Sequence, residues 1–369
     1  MTYKTEKSYF IRISFISLRV EIAKNRSKTR KIISKIISKM KDYIPPFTIS
    51  ERMMRLVSEI SEKIGRIDEH VHLESKPQLR KNNRIQSIHS SLKIEANSLS
   101  LDDVRDVING HIVIGDKKEI QEVKNAYSAY EKIPEINPFS IADLKRLHGI
   151  MTYRTVEESG TFRKGGEGVF AGNRCIFIAP PPQMVYGLVK DLLSWAKRHY
   201  GKTHPLIMAA VFHYEFVFIH PFSDGNGRMA RLWHTVLLYK WRKIFEHIPL
   251  ESQIEKFQQE YYDAISKCHA EGNSNIFIEF MLEMTDQVLD GVISQIASND
   301  DDMSEYVKKM LSVMEYDVPY TSNRIMELLG LKSKETLRKN YINPALRLGL
   351  IRMTLPGKSK SKNQRYVKQ

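Results

Sequence analysis

Between His220 and Arg231 the chain reads HPFSDGNGRMAR. Twelve residues hold an imidazole (His220), a carboxylate (Asp224), a small-residue turn (Gly225-Asn226-Gly227) and two guanidinium groups (Arg228, Arg231). These are the parts needed to hold a polyphosphate and to deprotonate a hydroxyl beside it. An imidazole with an ordinary pKa of about 6.5 suits general-base work near neutral pH. A carboxylate is a hard oxygen ligand for Mg²⁺ on bound phosphates. Arginines one helical turn apart share a face and can grip two different phosphates. Taken singly, each part is ordinary: a lone His or Arg in a Pro-Asx-Gly turn is usually solvated surface. The complete set in this order is what points to phosphate chemistry.

The elements that must position these groups follow from local signals. His204 to Ile219 carries apolar groups at helical spacing (Leu206, Ile207, Ala210, Val211, Tyr214, Phe218). Pro221 lacks an N–H and disfavours helical backbone at the preceding residue, so this helix should end at about His220. Asp224 to Gly227 is turn chemistry, and a second helix resumes through Met229, Leu232, Trp233, Val236 and Leu237. Gly225, Asn226 and Gly227 therefore sit at a helix N-terminus, whose free N–H groups and positive dipole end make an anion cradle. Phe222 is expected to plug the loop into the core.

The segment resembles the signature of the Fic family (filamentation induced by cAMP), HPFx[D/E]GNGRxxR, at every fixed position. The resemblance implies a mainly α fold, a helical bundle with a small β-hairpin flap, that transfers AMP from ATP to a protein hydroxyl and releases pyrophosphate. It also implies that His220 is the base and Asp224 the Mg²⁺ ligand. Gly225, Asn226 and Gly227 with Arg228 would then cradle the α- and β-phosphates, and Arg231 would meet the γ-phosphate. Some relatives transfer other phosphate-containing groups, and a kinase-like branch lacks the second glycine of the turn. Gly227 is present here, which favours adenylyl transfer.

Three further stretches are similar to parts of that family. Residues 78–96 (QLRKNNRIQSIHSSLKIEA) are expected to form a helix, with Ile85, Ile88, Leu92 and Ala96 on one stripe. It resembles the inhibitory helix [S/T]xxxE[G/N], with Ser91 and Glu95 in place. The resemblance implies that Glu95 pairs with Arg231, where its carboxylate occupies the γ-phosphate's place. Ala96 stands where Gly or Asn is expected and is read here as keeping the helix intact. Residues 168–171 and 175–178, joined by Gly172-Asn173-Arg174, give a hairpin signal. It looks like the Fic flap, on which a target segment adds as a strand; Val169, Phe170, Ala171 and Gly172 would also touch the nucleotide. Scaffolding is the plainer reading of an isolated hairpin. Tyr262 resembles the adenine contact, although adjacent tyrosines in a helix are more often core and rim.

At 369 residues the chain has room for two or three domains. Two cysteines, Cys175 and Cys268, without metal or disulfide spacing, suit a reducing cytoplasm. No stretch has the length and apolarity of a membrane span or a signal peptide. The net charge of +14 belongs to the ends: residues 1–39 carry 11 basic and 2 acidic residues, and residues 306–369 carry 14 and 4. The middle is therefore net acidic. Residues 1–39 read either as an extension ahead of a true start at Met40 or as a basic helix for an acidic surface. The catalytic domain is expected over residues 40–300, followed by an acidic linker (Ala297 to Glu305) and a C-terminal domain over 301–369. There, Met303 to Glu315, Thr321 to Leu329 and Ser333 to Leu348 read as helices, with Gly330 in a turn, and two short strands flank Pro356 to Lys360. This is a winged helix-turn-helix pattern, similar to a domain appended to many Fic proteins. Lys332, Lys334, Arg338, Lys339, Lys358, Lys360 and Lys362 could contact DNA phosphates; the alternative is a protein-contact module with solvated charges. Three functions remain open: a self-inhibited adenylyltransferase, a DNA-binding regulator that senses nucleotide, and an enzyme that removes AMP with Glu95 as base. The resemblance also carries the expectation of a homodimer.

Overall fold

The structure, a computed structural model, describes residues 43–70, 77–171, 174–301, 304–315, 318–347, 350–355 and 361–368. The basic N-terminal stretch, Gly172 and the Lys358 to Lys360 part of the basic hairpin lie outside the described residues. The chain divides into two compact units, one of the described residues up to Glu62 with Asn83–Val288, the other of Lys63–Asn82 with Leu289–Gln369.

The larger unit is built from helices α1 (Glu51–His70, in part), α2 (Pro77–Ile94, in part), α3 (Leu101–Ile108), α4 (Lys117–Glu131), α5 (Ile141–Met151), α6 (Pro182–His199), α7 (Pro205–Ile219), α8 (Asn226–Trp241), α9 (Leu250–Lys256), α10 (Gln258–Glu271) and most of α11 (Asn275–Asp301). A single hairpin interrupts them, β1 (Gly168–Ala171) with β2 (Arg174–Ile178). Helix α7 (PLIMAAVFHYEFVFI) is apolar on all sides, and a helix of that kind must be buried. It forms the centre, with Phe212, Tyr214 and Phe216 fully enclosed. Helix α8 lies against it, and the rings of Trp233 and Phe212 meet at 6.4 Å. Burying side chains of this size contributes about 2–3 kcal/mol each. That places the α7–α8 connection, which carries the signature, at the end of the most deeply buried helices of this unit.

The hairpin falls where its turn residues put it, and Gly168 pairs with Ile178. A bulge lies between Val169 and Phe170. Phe177 ties β2 down by stacking on His269 of α10, with ring centroids 4.3 Å apart.

In the smaller unit, α12 (Glu305–Ser312), α13 (Ser322–Leu329) and a helical run (Lys334–Thr336, Leu337–Ile342, Asn343–Arg347) surround a core of Val307, Met310, Ile325, Leu329, Leu337 and Tyr341. Three antiparallel strands, β3 (Pro319–Tyr320), β4 (Ile351–Met353) and β5 (Tyr366–Lys368), complete it in the order β3-β5-β4. The Thr321 hydroxyl caps α13 and Gly330 ends it at φ 66°. Three expectations need correction. The acidic segment is not a linker at its start, because α11 continues through Ala297 to Asp301. The first of the three helices is shorter than expected, capped by Ser304 and ending at Ser312. The third is not a uniform α-helix, since its middle, Leu337–Ile342, is π-helical.

Ala96 corrects another. It does not prolong α2: the helix stops at Ile94, and Ala96 takes the left-handed conformation at φ 65°. The Ala96 N–H donates to the Lys93 carbonyl at 3.0 Å and the Asn97 N–H to the Leu92 carbonyl at 3.1 Å. This bond pair closes a helix with a left-handed residue at its end, normally glycine. A Cβ there costs about 1–2 kcal/mol, partly offset by the lower chain entropy of alanine when unfolded. Ala96→Gly should therefore raise stability by about 0.5–1 kcal/mol, read as a higher urea midpoint with an unchanged slope. A lower midpoint would contradict the assigned backbone.

Candidate active site

The signature residues converge at the junction of α7 and α8. His220 ends α7 in the left-handed region, φ 50° and ψ 62°, a conformation uncommon for a residue with a Cβ. Its ring is largely buried, and burial lowers its pKa, as does the Arg163 charge; the Val217 carbonyl and the Glu95 and Asp224 carboxylates oppose this. The net result is an imidazole neutral at pH 7, the form a base requires. Phe222 is fully buried, as expected of a plug. Asn226 holds the loop in shape: its amide oxygen accepts from the Phe222 N–H at 2.9 Å, and its amide nitrogen donates to the Phe222 carbonyl at 2.8 Å. Its side chain is thereby committed to the loop, leaving the backbone N–H for an anion.

Gly225 caps α8 at φ 79°, where a Cβ would also crowd Thr152 Cγ2 at 3.1 Å. Gly227 has a different reason for being bare. A Cβ there would overlap Glu95 Oε1 and press on the Arg231 guanidinium. Glu95 thus stands over the first turn of α8, where the helix end favours negative charge. Its Oε1 accepts from Arg231 Nη2 at 2.7 Å. Ser91 adds two acceptors for Arg231, its hydroxyl at 3.1 Å and its carbonyl at 2.9 Å. Arg231 is buried; burial is the largest single influence and opposes its charge, but the Glu95 carboxylate together with Tyr261 and Tyr130 outweighs it and its pKa is raised.

Arg228 is also held by carboxylates, Glu122 of α4 at 3.2 Å and Asp224 at 3.2 Å. Glu122 was not singled out from sequence. It accepts from the Asn97 amide at 3.0 Å, which joins the turn after Glu95 to the second arginine site. Asp224 is half exposed and bound on one oxygen by Arg228 and the Gly225 N–H. Among the described residues no group of three His, Cys, Asp or Glu side chains could hold a metal alone. A Mg²⁺ ion held by one carboxylate together with nucleotide phosphates fits that donor set.

Two other residues escaped sequence reading. His148 of α5 accepts the Gly160 N–H on Nδ1 at 2.9 Å, so its Nε2 carries the proton and donates to the Asp224 carbonyl at 3.0 Å. Its ring stacks on Phe222 with centroids 3.6 Å apart. Arg163 contacts the His220 carbonyl. Tyr262 is 43% exposed, whereas its neighbour Tyr261 is buried and bonded to His213 at 2.9 Å. The backbone of Val169, Phe170 and Ala171 forms β1.

A Fic/DOC family model matches residues 138–238. A model of the Filamentation induced by cAMP protein Fic-like C-terminal domain matches residues 305–367. A solved Fic family protein from Desulfovibrio desulfuricans G20 is 38% identical, with a TM-score of 0.67, over 89% of this chain and 98% of that one. The chain belongs to the Fic family. Among curated proteins it resembles "Protein adenylyltransferase Fic" of Aedes aegypti, 29% identical over 56% of this chain. "Protein adenylyltransferase fic-1" of Caenorhabditis elegans is 25% identical over 70% of it. The chain spans only 41% and 53% of those two relatives. The solved structure of C. elegans Fic-1, 21% identical with a TM-score of 0.56, shares the fold.

The site rests on buried neutral histidines, which makes it sensitive to acid. Burial lowers the pKa of His148 and of His234 on α8 to about 4 in each case. The unfolded chain, with values near 6.5, binds more protons between those limits, so stability rises with pH there. It is complete above about pH 6.5 and declines as pH falls towards 4, by about 3 kcal/mol per histidine. The urea midpoint should drop steadily from pH 7 to pH 4.5, with net proton uptake on unfolding. A flat midpoint over that range would contradict the burial of these rings in neutral form.

Proposed function

We propose that this chain is a self-inhibited protein adenylyltransferase. The Glu95–Arg231 ion pair standing over Gly227, beside a neutral His220, is the observation that carries the reading. The substrate is ATP. Its α- and β-phosphates lie on the backbone N–H groups of the α8 N-terminus and on Arg228, and Arg231 takes the γ-phosphate once Glu95 moves away. Mg²⁺, held by Asp224 and the phosphates, supplies charge neutralisation when bound. A target Ser, Thr or Tyr hydroxyl is presented by a segment added to the flap hairpin, with the backbone of Val169 to Ala171 along the nucleotide and Tyr262 at the adenine. His220 takes the hydroxyl proton as the oxygen bonds to the α-phosphorus. The bond from that phosphorus to the bridging oxygen breaks, and pyrophosphate leaves.

In the described state the Glu95 carboxylate holds the arginine that the γ-phosphate needs and repels that phosphate's charge. Productive binding therefore waits on its displacement. The names of the curated relatives, protein adenylyltransferases, support transfer over the reading in which Glu95 is the base for AMP removal. In the smaller unit, Lys332, Lys334, Arg338 and Lys339 are all exposed. They support a contact with DNA phosphates as an additional role. Cys268, a buried thiol whose sulfur accepts the Phe277 N–H, fits a reducing compartment such as the cytoplasm.

The test is self-labelling of the full chain from ATP carrying label on the α-phosphate. Glu95→Gly should raise the labelling rate at least roughly 10-fold over wild type, equivalent to removing about 1.4 kcal/mol of inhibition. Adding His220→Ala to it should abolish labelling. Unchanged labelling on losing Glu95, or labelling that survives without His220, would reject the reading.

A further inference from the structure

Arg163 lies in the segment between α5 and the flap, and only 3% of it is exposed. Among the described residues no carboxylate is hydrogen-bonded to it, although the Glu167 charge acts on it. Its guanidinium is spent on backbone carbonyls: Nε donates to His220 at 2.6 Å, Nη1 to Gly165 at 2.8 Å, and Nη2 to Pro180 at 2.5 Å and Ile219 at 3.4 Å. Its own N–H donates to the Pro221 carbonyl at 3.0 Å. These acceptors belong to two structures. Ile219, His220 and Pro221 form the end of α7 and the strained left-handed step that presents the imidazole. Gly165 and Pro180 are the two roots of the hairpin, one before β1 and one after β2, and the Ala179 N–H to Glu167 carbonyl bond closes the hairpin just inside them. A buried cation facing the carbonyl end of a helix is favourably placed, and a planar fork can satisfy four carbonyls where an ammonium cannot.

We infer that Arg163 is a positioning residue that fixes the flap to the backbone of the catalytic base, so that a hydroxyl carried by the flap arrives at His220 in register. This rests on the adenylyltransferase reading. Arg163 has no part in the phosphate cradle, which is built by α8, Arg228 and Arg231. Its loss should therefore leave nucleotide binding intact and slow the transfer. Misplacing a reacting group by about an ångström costs on the order of 100-fold in rate.

The experiment uses the full chain carrying Glu95→Gly, with Arg163→Lys and Arg163→Met added separately. Self-labelling kinetics are measured against ATP concentration and against pH. Melting by circular dichroism identifies a temperature at which each variant is folded. The expected result for both variants is a kcat lower by roughly 30–100-fold, with the KM for ATP within about twofold of the parent. A second readout is the acid limb of the pH profile. Arg163, Glu95 and Asp224 are the charged groups acting on His220, and Glu95 is absent from the parent. Arg163→Met removes the cation, so its acid limb should move to higher pH; Arg163→Lys, which keeps the charge, should move it less. Should Arg163→Met not fold, the lysine variant's split between kcat and KM decides. A lysine variant at full rate would overturn the inference. So would rates that recover once the assay temperature is lowered, since that marks a purely structural role. If the parent itself labels without His220, the transfer reading falls and this inference with it. A parent that needs His220 alongside a fully active lysine variant removes this inference alone.

Discussion

The contact between Glu95 and Arg231, made across the bare α-carbon of Gly227, is the constraint on which the site depends. A helix N-terminus with a glycine in its first turn and a buried arginine one turn further along demands an anion. In the structure that anion is a carboxylate of the chain itself. Arg231 is almost wholly enclosed, and an unpaired buried guanidinium would be costly, so the carboxylate stabilises the protein; on the proposed reading it also denies the place to a phosphate. On the proposed reading, one interaction thus serves stability and inhibition together. A ligand that displaces Glu95 must supply equivalent charge to Arg231, and a triphosphate can.

The rest of the unit is arranged to keep that contact in place. Ser91, one turn before Glu95 on α2, holds the same arginine through its hydroxyl and carbonyl. The left-handed step at Ala96 turns the chain so that Asn97 reaches Glu122, and Glu122 in turn grips Arg228. Both signature arginines are therefore tied, directly or through one residue, to the end of α2. On the other side, His148 fixes the Asp224 carbonyl and Arg163 fixes the His220 carbonyl. The proposed base, cradle and flap are each held by backbone contacts from outside the signature, which is how a loop can keep catalytic geometry.

Much of this was legible in the sequence because it is local. Pro221 and the Gly-Asn-Gly turn announce a break between two helices, and the apolar spacing on each side gives their extents. The hairpin showed in its turn residues, and Thr321 and Gly330 marked the ends of α13. The Glu95–Arg231 pair, separated by 136 positions, came only through resemblance to a family motif. Without such a motif, contacts at long separation leave no local signal. Glu122, His148 and Arg163 went unnoticed for that reason: each is an ordinary residue in an ordinary segment until the fold brings a carbonyl or guanidinium to it. The misreading of Ala96 has a different origin. Alanine is the best helix former, yet the bonds from Ala96 and Asn97 back to Lys93 and Leu92, and the engagement of Asn97, impose a left-handed backbone that propensity alone argues against.

The most direct measurement is a double-mutant cycle on stability, combining Gly227→Ala with Glu95→Gly and following urea unfolding of all four proteins. If the carboxylate rests on the Gly227 α-carbon, the added methyl expels it. The substitution should then cost about 2 kcal/mol when Glu95 is present and less than about 0.5 kcal/mol when it is absent, a coupling of about 1–2 kcal/mol. An equal cost in both backgrounds would mean that the carboxylate does not occupy the anion place at the start of α8, and the account of inhibition would fail.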